Sequence, residues 1–137
     1  MKRYANTAVV YAVIAMIFGV FYREFTKLNG FTGRTVLSAI HPHYFMLGMM
    51  FFLLLLLLEK TVGFSGAGTG KVLAVYHTGL NLTGLTLLLR GVAQVLGTSL
   101  SSAMNGALSG VAGIGHILLG VSLLLLLLQI RKSVSDK

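Results

Sequence analysis

His41-Pro42-His43 places two of the four histidines of this chain one residue apart, directly ahead of the apolar run Tyr44 to Leu58. Imidazole is a common protein ligand for heme iron and for several transition metals. An ionisable group at or below a bilayer surface is costly enough to point to function. Helical geometry limits what the pair can do. Residues two apart on an α-helix are separated by about 200° around its axis, so His41 and His43 point to nearly opposite sides. A single chelated ion fits that arrangement poorly, whereas two cofactors, one on each side, fit it well. His41 and His43 are therefore candidates for cofactor and metal ligation. The competing reading is a pair of water-exposed histidines at a helix start, where Pro42 suits the first turn because its missing N–H costs nothing there.

Other residues extend the candidate set. Below His43 on its face come Met46 and Met50. Below His41 come Phe45, Gly48 and Phe52, and Gly48 is expected to leave a flat patch beside a cofactor. His77 shares a helical face with Asn81, Gly84 and Gly91. His116 is aligned with Ser109, Ala112, Gly113 and Gly120, a small and polar stripe that turns it toward protein or a cofactor and away from lipid. For His77 and His116, a hydrogen bond across to another helix competes with ligation. Arg90 either snorkels to the surface or clamps a carboxylate, a heme propionate being the natural one.

The elements that must position these residues follow from composition. The 137 residues are 55% hydrophobic and 10% charged, against about a quarter charged in soluble domains. Each bilayer crossing needs about 20 apolar residues, which leaves room for roughly four crossings with short loops. The expectation is an all-α, integral membrane four-helix bundle in a single domain spanning residues 1–137, with helices near 4–22, 38–58, 71–96 and 102–130. The lysine-arginine start resembles a secretory signal, but its apolar stretch is long and lacks a small-x-small cleavage site, so it reads as a retained first helix. Arg23 to Leu37 is polar with scattered aromatics and suits the membrane interface. Glu59 to Gly70 is glycine-rich and reads as a flexible loop. The short link Gly97 to Ser101 makes the last two helices antiparallel neighbours.

The net charge of +8 arises from eleven lysines and arginines against Glu24, Glu59 and Asp136. In this class it reports topology and anionic headgroups and not nucleic acid. Lys2, Arg3, Lys60, Lys71, Arg131, Lys132 and Lys137 fall on one side, and Arg23, Lys27 and Arg34 on the other, with Arg90 near that second end. The excess puts both termini in the cytoplasm. His41 and His43 then lie near the outer surface. With no cysteine, disulfides, thiolate sites, iron–sulfur clusters and covalent heme attachment are excluded. The runs Leu53 to Leu58 and Leu123 to Leu128 read as lipid-facing. Gly106 and Gly110 form a GxxxG pair, which reads as a packing seam or as a cleft for a flat cofactor.

The stretch from Leu37 through His41-Pro42-His43 to Leu47-Gly48-Met49 resembles the H-x-H…LG segment of the catalytic subunits of heme-copper oxidases and nitric-oxide reductases. The whole chain also resembles a family of small bacterial four-helix membrane proteins of unknown function. The first resemblance implies that the chain corresponds to one of three four-helix repeats in a twelve-helix fold. It implies that His41 and His43 ligate two hemes on opposite sides of their helix, with Arg90 near the propionates. Three copies would then form a twelve-helix homotrimer with each heme between subunits. The chain departs from that pattern in having a single His77 near the opposite side, no counterpart of the cross-linked tyrosine, and no acidic residue inside a helix. An oxygen-reducing, proton-pumping centre is therefore not expected.

The resulting expectation is a membrane-embedded heme b protein of the bacterial cytoplasmic membrane that transfers electrons through bis-histidine hemes, with a quinol as a compatible partner. Two rivals stand beside it. One is a metal-ion or heme transporter using His41, His43, His77 and His116 as a route, with Met46 and Met50 as soft ligands. The other is a structural partner in a membrane complex, which needs only the glycine seams.

Overall fold

A computed structural model describes residues 1–135; Lys137, assigned above to the cytoplasmic side, lies outside the described residues. Among these residues, four helices are long and apolar enough to cross a membrane: α1 (Lys2–Leu28), α2 (Val36–Thr61), α3 (Thr69–Val95) and α4 (Ser102–Ser135). The all-helical architecture is consistent with a multi-pass membrane protein. Both poly-leucine runs behave as their composition implies. Leu53, Leu54 and Leu57 are exposed around buried Leu55, and Leu124, Leu125, Leu127 and Leu128 around buried Leu126.

The helices pair by two different chemistries. On α1 the residues Tyr4, Ala8, Tyr11 and Ala15 are buried at helical spacing and form a stripe toward α2. Tyr11 stacks on Tyr44 with ring centroids 5.8 Å apart and tilts against Phe52 at 5.8 Å, and Phe18 lies parallel to Tyr44 at 5.8 Å. Such ring contacts contribute beyond the area they bury. The α3–α4 seam instead uses small residues. A Cβ on Gly79 would meet the Leu119 backbone nitrogen at 2.5 Å and the Gly115 carbonyl at 2.8 Å, so glycine is required for the two backbones to approach this closely. The seam thus runs through Gly79 and Gly115. It does not run through Gly106 and Gly110, which meet nothing within 4 Å. Gly106 and Gly110 have the GxxxG spacing expected of a packing seam, but their face is turned outward and packs against nothing among the described residues.

α4 packs along α3 and makes no comparable contact with α1 or α2, while α1 and α3 meet through side chains and not along their backbones. The bundle is consequently open between α1 and α3, and one face of α4 is bare.

Local signals set the boundaries. α1 continues through Arg23 to Leu28, where an interfacial connection was expected, because Phe25 stacks on Phe21 at 5.0 Å. It stops at Gly30, whose φ of 58° only glycine adopts easily, while Phe31 N–H donates back to the Thr26 carbonyl. The loop after α2 is tied down: the Glu59 carboxylate accepts from both the backbone N–H and the hydroxyl of Ser65, and Tyr4 pairs with the Ser65 hydroxyl at 2.7 Å. The link between α3 and α4 turns at Gly97 (φ 64°), and the two helices are antiparallel neighbours.

α2 is composite. A 3-10 turn, Val36–Ala39, capped by the Thr35 side chain, precedes one α-turn, Ile40–His43, which holds Pro42. Tyr44–Met50 then forms a π-helix before α-helix resumes at Phe51–Thr61. The Leu47 carbonyl inside this wide segment accepts from the Tyr76 hydroxyl of α3 at 2.7 Å. Wide turns of this kind are uncommon and concentrate at functional sites; this one begins immediately after His43.

Candidate functional site

The 3-10 turn that leads into His41 docks on the last turns of α3. Thr35 Oγ1 donates to the Gly91 carbonyl at 3.0 Å, and Val36 N–H donates to Gln94 Oε1 at 2.9 Å. This anchors His41 and His43 at the end of the bundle that also carries Arg90. His41 then turns toward α1. Its Nδ1 lies 2.7 Å from the Ala15 carbonyl, and Phe45 meets its ring edge-on at 4.6 Å. Gly19 makes room for it, since a Cβ there would stand 2.8 Å from the ring nitrogen. His41 is thus level with Ala15 and Gly19, about 13 to 20 Å along α1 from its Leu28 end. That is deeper than a helix-start position suggests.

His43 folds back on its own helix, Nδ1 lying 2.7 Å from the Ala39 carbonyl. On its side Met46 and Met50 are exposed. A carbonyl oxygen can only accept, so in both histidines Nδ1 must carry the proton. The neutral ring then presents its lone pair at Nε2. Among the described residues neither Nε2 has a partner, and both reach the surface of the chain, because the one buried unpartnered polar side-chain atom there is Thr83 Oγ1. Nδ1 bonded to a carbonyl with Nε2 left free is the arrangement that orients metal-ligating histidines. His116 has the same form, Nδ1 to the Ala112 carbonyl at 2.7 Å, but it stands exposed on the bare face of α4. No second helix of the same chain reaches it. The expected turn toward protein or cofactor is therefore not met within one chain.

His77 is different. Its Nδ1 lies 2.6 Å from the Tyr11 hydroxyl of α1, the cross-helix bond that competed with ligation at this position. Asn81 fixes the direction of the network. Its amide N–H groups donate to the His77 carbonyl at 2.8 Å and to the Tyr11 oxygen at 3.3 Å, and its Oδ1 accepts from the Tyr44 hydroxyl at 3.1 Å. With Tyr11 accepting from Asn81, its own proton is used if it points to His77 Nδ1. His77 then carries its proton on Nε2 and is a donor, not a ligand. The ring joins an aromatic cluster, 5.6 Å from Tyr11 and 5.0 Å from Phe52, which are themselves 5.8 Å apart. Sequence reading singled out His77 and Asn81 but not Tyr11 or Tyr44. The signal for Tyr11 was the alternation of tyrosine and alanine at Tyr4, Ala8, Tyr11 and Ala15 along α1; no such pattern marks Tyr44.

Arg90 does not simply extend into solvent. One guanidinium nitrogen donates to Ser109 Oγ at 2.9 Å, with the Asn105 carbonyl at 3.4 Å. Arg90 thereby ties α3 to α4 beside a cleft lined by Gln94, Thr98 and Asn105. Gly48 is not a free flat patch. Tyr11 covers it so closely that a Cβ would stand 2.7 Å from the tyrosine Cβ and Cγ, and the position serves the α1–α2 contact.

The four imidazoles thus belong to separate surfaces. His41 lies on the α1 side of α2 and His43 away from it, while His77 lies between α1 and α3 and His116 outside α4. Among the described residues no three histidine, aspartate or glutamate side chains are grouped to hold a metal ion.

Four membrane-length helices, with imidazoles set at several depths and on several faces, define a polytopic helical protein whose polar chemistry is carried by histidine and tyrosine. The chain belongs to the DUF2871 family, a protein family of unknown function whose family model matches residues 1–133. No curated protein and no solved structure matches it.

Proposed function

We propose that this protein is a membrane-embedded heme b protein that carries electrons, and that His41 and His43 would each hold a different heme. The observation that carries the reading is the state of the two rings. Each has Nδ1 held by a backbone carbonyl, one on α1 and one on α2, and each has an unpartnered Nε2 at the subunit surface. Heme would supply the one-electron redox change, and two imidazole ligands per heme would favour electron transfer over oxygen binding. The protein's own part is orientation. Ala15 and Ala39 fix the rings, and Gly19 lets the His41 imidazole lie against α1. Arg90, at the same end of the bundle, is the donor suited to a propionate.

In this reading the hemes lie between copies of the chain, His41 of one copy facing His43 of the next, and three copies close a twelve-helix ring. Two features support an assembly. The face of α4 that carries Gly106, Gly110, Gly113 and Gly120 has open space beside it, and His116 is exposed at a depth where lipid would be a poor neighbour. The resemblance of Leu37–Met49 to heme-copper oxidases supports the same picture. The distribution of lysine and arginine supports a bacterial cytoplasmic membrane location with both termini inside, and a quinol is a compatible electron partner.

The visible spectrum of protein purified in detergent from heme-replete cells tests the reading. A Soret band with sharp α and β bands after reduction, lost in His41→Ala and in His43→Ala, is the expected result. A colourless protein holding stoichiometric copper or zinc would refute it in favour of metal transport. A monomer that retains full heme would refute the intersubunit geometry.

A further inference from the structure

Between α1 and α3 the bundle opens into a groove of about 620 Å³, lined by Arg3, Asn6, Thr7, Val10, Tyr11, Ile14, His77 and Asn81. That volume falls within the range of small-molecule sites. We propose that this groove binds the ring of a lipid-soluble quinone, with His77 Nε2–H donating to a quinone carbonyl.

Three features select that chemistry. First, the wall offers donors, the Arg3 guanidinium among them, and no carboxylate. Among the described residues Arg3, Asn6 and Thr7 have no hydrogen-bond partner, no aspartate or glutamate lines the groove, and a Tyr11 hydroxyl that donates to His77 Nδ1 leaves Nε2–H free to donate. A site of this kind takes a ligand whose polar atoms accept. Second, the groove is amphipathic along its length. Arg3, Asn6 and Thr7 occupy the terminal end of α1, and Val10 and Ile14 follow toward the middle. Its walls are two membrane-length helices, so its open side faces the bilayer, and the occupant arrives by dissolving there. Third, depth separates a neutral acceptor from an anion. His77 lies six residues inside Lys71, about 9 Å along α3, and Asn81 about 6 Å further. A phosphate drawn to that level would lose its hydration at far higher cost than a carbonyl would. Arg3 stays at the mouth, where it suits a headgroup without drawing it inward.

The His77 ring is held by contact with the Tyr11 and Phe52 rings and by its Nδ1 bond, so the donor is positioned before any ligand enters. Residues from two helices frame the groove, and Tyr11 keeps those helices apart at this level. As an electron partner the quinone rests on the heme reading; its binding does not.

The test is equilibrium binding of a short-tailed benzoquinone to the full chain in nanodiscs of zwitterionic lipid. The expected result is one saturable site per chain, present equally in wild type and in His41→Ala, and weakened by about tenfold in His77→Phe and in Asn6→Leu. Phenylalanine keeps the stack on Tyr11 and Phe52 and removes the donor. If His77→Phe fails to fold, Asn6→Leu decides, because Asn6 is exposed. Absence of saturable binding overturns the proposal, as does wild-type affinity in the folded variants. Displacement of the quinone by phosphatidylglycerol overturns it too, in favour of an anionic headgroup site. A colourless wild type that still binds quinone refutes the heme reading alone. A heme-loaded protein that binds none refutes only the groove.

Discussion

His41 and His77 are both half-buried imidazoles on membrane-length helices, and both form a short bond from Nδ1 to α1. Their chemistry is nevertheless opposite. Ala15 offers His41 a carbonyl, which can only accept, so the His41 lone pair is pushed to Nε2. Tyr11 offers His77 a hydroxyl, which can donate as well as accept; when it donates, the lone pair lies at Nδ1 and the proton at Nε2. Four residues along one helix separate a partner that makes a ligand from a partner that makes a donor. The role of the second nitrogen of a neutral imidazole follows from what holds the first.

The largest expected effect tests that division directly. His41→Ala should abolish heme retention, whereas His77→Phe should leave the reduced α band in place, both read from the same visible spectra. Equal loss in the two variants would end the distinction between ligand and donor. A smaller effect is expected at Gly19. An alanine there would push on the His41 ring nitrogen from 2.8 Å and displace it from the Ala15 carbonyl. Loss of such an orienting bond costs about 10- to 100-fold in affinity for a bound metal centre, so heme titration of Gly19→Ala should show a drop of that order with unfolding little changed. Wild-type heme affinity would mean that the Ala15 bond does not orient the ligand.

The contact between the two regions can be strained without touching either histidine. Gly48→Ala would drive a methyl group into Tyr11, whose backbone-proximal atoms at 2.7 Å cannot swing away. Overpacking of this kind costs about 1 to 3 kcal/mol, measurable by detergent-induced unfolding. Gly110→Ala, with open space beside it, should cost almost nothing in the same assay. An equal cost at both positions would show that the outward face of α4 is packed in the folded protein.

What was legible in the sequence is what depends on one segment at a time. The four spans follow from apolar run length, the neighbourhood of α3 and α4 from a five-residue link, and the opposed directions of His41 and His43 from helical geometry. What depends on the rotation of one helix against another was not legible. Gly79–Gly115 and Gly106–Gly110 are both glycine pairs, yet spacing alone does not say which face turns inward. Tyr11 and His77 are 66 residues apart, and their bond requires α1 and α3 to stand at one particular separation. Neither Pro42 nor Gly48 marks the π-helix at Tyr44–Met50 beforehand, because the Tyr76 hydroxyl that donates to its Leu47 carbonyl comes from another helix.

The smallest expected effect is the most diagnostic. Tyr11→Phe removes one hydroxyl, preserves the stack on Tyr44, Phe52 and His77, and withdraws the proton donated to His77 Nδ1. The stability lost should be about 1 kcal/mol, the ordinary net worth of a hydrogen bond. The tautomer should respond more clearly than the stability. In wild type, imidazole ¹⁵N resonances should show His41, His43 and His116 protonated at Nδ1 and His77 at Nε2. In Tyr11→Phe only the His77 pair should change, toward a mixture of tautomers, because its partner alone has gone. Four histidines with the same tautomer in wild type would remove the distinction between His41 and His77 at its root. A selective change confined to His77 would tie the donor character of the α1–α3 groove to a single tyrosine oxygen.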